Sequence, residues 1–177
     1  LGLKQLRENP RLGFKILIKD LTRPLNVSDL AFIVAPRINA AGRMDHGINA
    51  VKLMTSKDQK AVLSIARTIE FFNTERKSTE ERITNEALQQ IKLEDITKNC
   101  STVVYHSSWH KGVIGIVASR LIEHYYRPTV VLTKAEDLMV GSVRSVHGFD
   151  VYDALEACKQ HILQFGGHKY AAGLTLN

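Results

Sequence analysis

The rhythm of polar and apolar positions changes several times along the chain. Residues 2–21 read as short helical turns, with Leu3 and Leu6 on one face and Phe14, Leu17 and Ile18 following Pro10. Ser28 and Asp29 can cap a helix through Val34, which Pro36 is expected to end. Gly42 and Gly47 flank a turn, and Ile48 to Met54 resumes helical spacing. Over roughly 56–92 no Gly or Pro interrupts. Ser56, with Gln59 three residues on, has the form of a capping box. Val62, Ile65, Ala66, Ile69 and Phe72 form one apolar stripe, and Ile83, Ala87, Leu88 and Ile91 form a second. Between them Asn73–Arg82 is polar throughout, as in a helix that is solvated all round or bridges two bodies. The pattern predicts a linking helix on the order of 50 Å long with a packed lobe at each end. The alternative is a helical hairpin broken near Asn73.

After Asn99 strands and helices alternate. Thr102 to His106 is a β-branched strand, and Gly112 to Tyr126 a helix burying Val113, Ile116, Val117, Leu121 and Ile122. Pro128 to Thr133 and Leu138 to Val143 are strands, Tyr152 to Phe165 a helix, and Tyr170 to Leu176 a strand. The expected fold class is therefore α/β: a helical N-terminal part, a long linking helix and a small α/β lobe with a mixed sheet.

Composition removes other classes. With 44% hydrophobic residues among 177, the chain can bury a core and is too apolar for a disordered segment. No apolar run approaches the ~18 residues that span a bilayer. Cys100 and Cys158 are the only cysteines, so there is neither a disulfide framework nor a four-cysteine zinc site, and a cytoplasmic setting is the default. The net charge of +6 is uneven: residues 1–43 hold eight Lys/Arg against three acids, while 44–98 hold nine of each. A basic excess suits a polyanion but also occurs on proteins that bind none. The chain begins at Leu1 without Met and closes on the apolar run Gly173–Asn177, so it is expected to be a piece of something longer.

Three segments place polar groups in unusual company. In Pro36-Arg-Ile-Asn-Ala-Ala-Gly-Arg43, small residues separate Arg37, Asn39 and Arg43. Guanidinium forks suit phosphate oxygens, or they pair with acids of a neighbouring lobe. In Ser108-Trp-His-Lys-Gly112, a glycine at a strand-to-helix turn can leave amides free for an anion, and Trp109 and His110 sit beside it. A lone histidine is also a common structural group. Gly141-Ser-Val-Arg-Ser145 sets Ser142 and Arg144 on one side of a strand by period two. Phe165-Gly-Gly-His-Lys-Tyr-Ala-Ala-Gly173 reads as a glycine-rich loop around His168, in which Gly166 and Gly167 can take positive φ and expose amides. Together these suit a phosphate pocket of amides, Arg144 and the hydroxyls of Ser142 and Ser145; tight turns around a core are the plainer reading. A metal-dependent hydrolase needs carboxylates and histidines converging on an ion, and Asp45-His46 is a single pair at a turn. No P-loop, Gly-x-Gly-x-x-Gly or Gly-x-Ser-x-Gly element is present.

The Gly141–Ser145 and Gly166–Gly173 segments resemble the signature of the DHHA1 domain, which accompanies the Asp-His-His phosphoesterases. Pro36–Arg43, Trp109–Arg120 and Gly148–Glu156 narrow the resemblance to the RecJ-type single-stranded-DNA exonucleases, in colinear order over nearly the whole chain. The resemblance implies a two-lobe enzyme whose DHH lobe binds Mn2+ or Mg2+ and whose substrate strand runs between the lobes. Residues 1–55 would be the helical tail of the DHH lobe, 56–96 the linking helix, and 97–177 a DHHA1 domain incomplete at its C-terminus. Ser142, Arg144, Ser145 and His168 would line the terminal-phosphate pocket, with Gly166 and Gly167 beside them. Arg37, Asn39 and Arg43 would contact the DNA backbone or brace the cleft, and Trp109 and His110 would face it. The residue before the arginine is commonly Gly in the family; Val143 stands here and is expected to narrow the pocket slightly. The metal-binding motif is absent, so neither a catalytic residue nor a metal is expected within these residues. Elsewhere in such an enzyme a metal-activated water would release 5′ mononucleotides. Implied partners are single-stranded DNA, single-strand-binding protein and a helicase, for a cytoplasmic monomer without a membrane. A stand-alone nucleic-acid-binding module, or a relative acting on oligoribonucleotides or cyclic dinucleotides, are the competing readings.

Overall fold

The computed structural model describes residues 1–93 and 99–177. They divide into two compact units, Leu1–Lys77 and Ser78–Asn177. The division falls inside the polar stretch Asn73–Arg82. The expected boundary between linking helix and last domain, at residues 96 and 97, lies outside the described residues.

The first unit is helical. Helices α1 (Gly2–Glu8) and α2 (Leu12–Leu17) are separated by the Pro10 segment. Helix α3 (Val27–Asp29) starts from Asn26 rather than Ser28. The Asn26 side chain accepts the Asp29 amide and the Asp29 carboxylate accepts the Asn26 amide, each at 2.9 Å. A π turn over Leu30–Val34 leads straight into α4 (Ala35–Met44). Pro36 therefore does not end the helix. Its ring presses on the carbonyl four residues back, and the wider π turn before it takes up that mismatch. Arg37 Nη1 also donates to the Ile33 carbonyl, at 3.0 Å.

Helix α5 (Ile48–Thr55) returns alongside α2 and α4. At Gly13 a Cβ would run into the Leu53 carbonyl, so α2 and α5 can cross this closely only with glycine there. Helix α6 (Gln59–Leu93) is continuous over 35 residues, which removes the hairpin alternative. Its start is capped by Asp58, whose Oδ1 accepts the Lys60 amide at 2.9 Å; the expected Ser56–Gln59 box does not form. The Ser56 hydroxyl accepts the Asp58 amide instead, at 3.2 Å. The first stripe of α6 closes a core with Phe14, Leu17, Leu25, Val34, Ala41 and Leu53, through Val62, Ala66 and Ile69. Each fully buried large side chain contributes roughly 1.5–3 kcal/mol.

The second stripe of α6, Ile83, Ala87 and Ile91, is buried in the second unit. There follow β1 (Thr102–Tyr105), α7 (Ile114–His124), β2 (Thr129–Ala135), β3 (Leu138–Arg144), α8 (Val151–Ala157), a 3-10 turn (Lys159–His161), β4 (Gln164–His168) and β5 (Ala171–Leu176). The sheet order is β1-β2-β3-β5-β4; β1 and β2 are parallel and the other pairs antiparallel. Helix α7 packs on β2 and β3, and α8 on β4 and β5. Two expectations are corrected. The helix after Tyr152 stops at Ala157 instead of reaching Phe165, and Phe165–Gly173 is a β-hairpin rather than a loop. Ladder pairing with β5 holds the Gly-Gly pair extended, whereas in a helix each glycine costs about 1 kcal/mol. Among the described residues no helix is long and apolar enough to cross a membrane.

Candidate phosphate and nucleotide site

Strand register assembles the site. Arg144 lies opposite Ala171, and Ala171 opposite His168; in the neighbouring row Ser142 lies opposite Gly173, and Gly173 opposite Gly166. Directly opposed residues share a sheet face, so Ser142, Arg144, Gly173, Gly166 and His168 stand on one side. That side is the α7 side: a Cβ on Gly115 of α7 would meet Ser142 Oγ and Arg144 Nη2. Arg144 Nη1 donates to Ser142 Oγ at 3.1 Å and to the Val143 carbonyl at 2.8 Å. Both side chains are half-buried, which lowers the surrounding dielectric and strengthens a bond to an anion.

The floor beside them is bare. A Cβ on Gly166 would meet nothing within 4 Å, and one on Gly173 only the Gly141 carbonyl at 3.7 Å. Packing therefore does not require glycine at either position, although glycine weakens a strand. An open floor of this kind lets a ligand lie against the backbone. Gly167 differs. There a Cβ would strike the Ala171 carbonyl and lie 2.5 Å from Ala172 Cα, so its glycine serves the hairpin.

The histidines are oriented by backbone amides. His168 Nδ1 accepts the Tyr170 amide at 3.3 Å, and His110 Nδ1 accepts the Gly112 amide at 3.1 Å. An accepting Nδ1 leaves the ring proton on Nε2, which is then a donor. A metal at Nε2 would need that proton on Nδ1, against the amide, so both rings suit an anion better than a metal. His110 also changes the expectation of free amides at the start of α7. Its carbonyl accepts the Val113 and Ile114 amides at 2.9 and 3.3 Å.

Other expected site residues are placed elsewhere. By strand alternation Ser145 leaves the Ser142–Arg144 side; its amide pairs with the Tyr170 carbonyl and its hydroxyl donates to the Phe149 carbonyl at 2.8 Å. Val143 faces the α8 side, packed with Val151, Ala172 and Leu174, so it does not narrow the pocket. Trp109 is buried and stacks on His106, and its indole N–H donates to Glu86 at 2.7 Å. Burial pushes the Glu86 carboxyl up, but the bonds from Trp109 and Arg82 and the charges of Arg82 and His106 hold it below the ordinary carboxylate range. In the first unit Arg37 is ion-paired with Glu70 at 2.6 Å, and Ala40 and Ala41 are fully buried. Asn39 and Arg43, one turn apart on α4, are exposed. Sequence reasoning missed Gly115. Its signal was a lone glycine inside an amphipathic helix, a position that needs a packing or functional reason.

The DHHA1 domain model matches residues 97–177. The similarity extends beyond it. The single-stranded-DNA-specific exonuclease RecJ of Bacillus subtilis is 38% identical over 182 residues, covering 99% of this chain and 23% of that protein. Escherichia coli RecJ is 35% identical over 187 residues, covering 99% and 32%. The chain thus spans about a quarter to a third of the length of these relatives. Thermus thermophilus RecJ, solved in complex with Mg2+, superposes with a TM-score of 0.87 at 27% identity, over 99% of this chain and 27% of that one. An exonuclease RecJ bound to manganese gives 0.85 at 28% identity, over 99% and 44%. In this chain, among the described residues, no three His, Cys, Asp or Glu side chains gather to hold an ion. With His110 and His168 donating through Nε2, these two rings do not fit a divalent metal.

Proposed function

We propose that this chain supplies the strand-end binding part of a divalent-metal-dependent 5′→3′ exonuclease that degrades single-stranded DNA in repair and recombination. The bare floor at Gly166 and Gly173 beside Ser142 and Arg144 carries the reading. Arg144 and Ser142 hold the terminal phosphate through a charge-assisted and a neutral hydrogen bond. His168 and His110 add N–H donors, and the glycines let the nucleotide lie flat against the sheet. Trp109, anchored on Glu86, fixes the turn that carries His110. Asn39 and Arg43 contact backbone phosphates, while Arg37, tied to Glu70, braces α4. Holding the strand end in register is a positioning contribution. The ion and the groups that cleave the bond belong to residues outside this chain, so the isolated chain is inactive. The reading includes a cytoplasmic monomer acting with single-strand-binding protein and a helicase.

The test is digestion by the full-length protein of 5′-labelled single strands, duplexes, dinucleotides and cyclic dinucleotides with Mn2+. Release of mononucleotides from long single strands is expected, with none from residues 1–177 alone. Preference for dinucleotides would replace DNA as the substrate. Metal-dependent release by residues 1–177 would overturn the division of labour.

A further inference from the structure

We propose that Gly115, the second residue of α7, is a positioning residue that sets Arg144 and Ser142 for a terminal phosphate; this rests on the reading of the site above. A Cβ at Gly115 would lie 2.9 Å from Ser142 Oγ, 3.1 Å from Arg144 Nη2 and 3.7 Å from Ser142 Cβ. The first two distances are too short for a carbon to share the space without movement. All three atoms belong to the two side chains of the phosphate site.

What would have to move is decisive. At Gly13 and Gly167 the obstructing atoms include backbone carbonyls, so a methyl group there works against the fold itself. At Gly115 the closest obstructing atoms are the ends of a serine and an arginine, which swing aside at little cost to stability. Alanine is also favoured over glycine within a helix by about 1 kcal/mol. A methyl group at 115 should therefore leave stability unchanged or slightly raised, and still displace the atoms that bind. The helix thus sacrifices some propensity to keep Arg144 Nη2 and Ser142 Oγ close against it, where Nη1 bonds the Ser142 hydroxyl at 3.1 Å and the Val143 carbonyl at 2.8 Å. A guanidinium held in a fixed plane recognises a phosphate through paired donors; one pushed off that plane acts only as a diffuse charge.

The experiment compares wild type, Gly115→Ala, Arg144→Ala and the double variant Gly115→Ala/Arg144→Ala in the full-length protein. Affinity is measured for matched single strands ending in a 5′-phosphate or a 5′-hydroxyl. Gly115→Ala should lower the preference for phosphate roughly ten-fold, the scale of one charge-assisted bond. Its affinity for the hydroxyl strand and its melting temperature should not fall. In the Arg144→Ala background Gly115→Ala should cost no further preference, a non-additivity that a general packing defect would not show. If Arg144→Ala loses the preference while Gly115→Ala keeps it, or if Gly115→Ala melts at a clearly lower temperature, the role assigned to Gly115 is wrong and the site reading survives. If wild type does not distinguish the two strands, the site reading fails and the role of Gly115 with it.

Discussion

In α4 the small residues near Arg37, Ala40 and Ala41, are fully buried against the first core, whereas Gly166 and Gly173 beside Arg144 face open space. On paper the two segments look alike, each setting arginine among small side chains. In the first, smallness lets helices approach, and Arg37 is answered by Glu70. In the second, the smallness of Gly166 and Gly173 is not used by the protein's own packing. A small residue beside a cation therefore indicates a ligand only where the space it leaves stays empty.

The comparison can be broken most strongly on stability. Ala41→Leu forces volume into a filled core and should destabilise by about 2–3 kcal/mol, read as a lower urea midpoint. Gly166→Ala, with nothing within 4 Å of its Cβ, should change stability by less than about 1 kcal/mol. Similar losses from both would erase the distinction. Next in size, Arg144→Ala should weaken binding of 5′-phosphorylated single strands roughly ten- to hundred-fold, measured by fluorescence anisotropy on the full-length protein. Unchanged affinity would remove Arg144 from the site. Gly173→Val should then cost roughly ten-fold in affinity with little loss of stability, because its branches fill the floor that the nucleotide needs; wild-type affinity would show that the floor is not used.

The smallest effect is electrostatic. Glu86 titrates lower when folded than when unfolded, so its stabilisation is present above the unfolded value and is lost as pH falls through the folded one. Trp109 is the single tryptophan of these residues and its N–H bonds Glu86, so its fluorescence responds to this step, and Glu86→Gln separates it from the stacked His106. An acid transition that Glu86→Gln flattens is expected. Since the Glu86 side chain is 39% exposed, the change in stability is small. Asp29 in the first unit shifts the same way, through its hydrogen bonds from Arg23 and the Asn26 amide.

Much of the fold was legible because it is local. The two stripes of α6 needed only a period, and so did the shared side of Ser142 and Arg144. The same period also placed Ser145 and Val143 on the other side, an implication that the pocket of two hydroxyls overlooked. What stayed hidden depends on pairing between distant segments. No local rule says that Gly173 lies between Ser142 and Gly166, or that Gly115 on a helix presses on Arg144. The π turn before Pro36 was hidden for another reason: proline signals a disturbed helix, but not whether the backbone stops there or widens and continues. Trp109 looked like a ligand contact because its partner, Glu86, lies 23 residues away on α6.

The most direct test of the account is the structure of the full-length protein with a 5′-phosphorylated single strand. The account predicts the terminal phosphate within hydrogen-bonding distance of the Arg144 guanidinium, with the nucleotide over Gly166 and Gly173. A phosphate held away from Arg144, with side chains from another part of the protein covering the glycine floor, would contradict it.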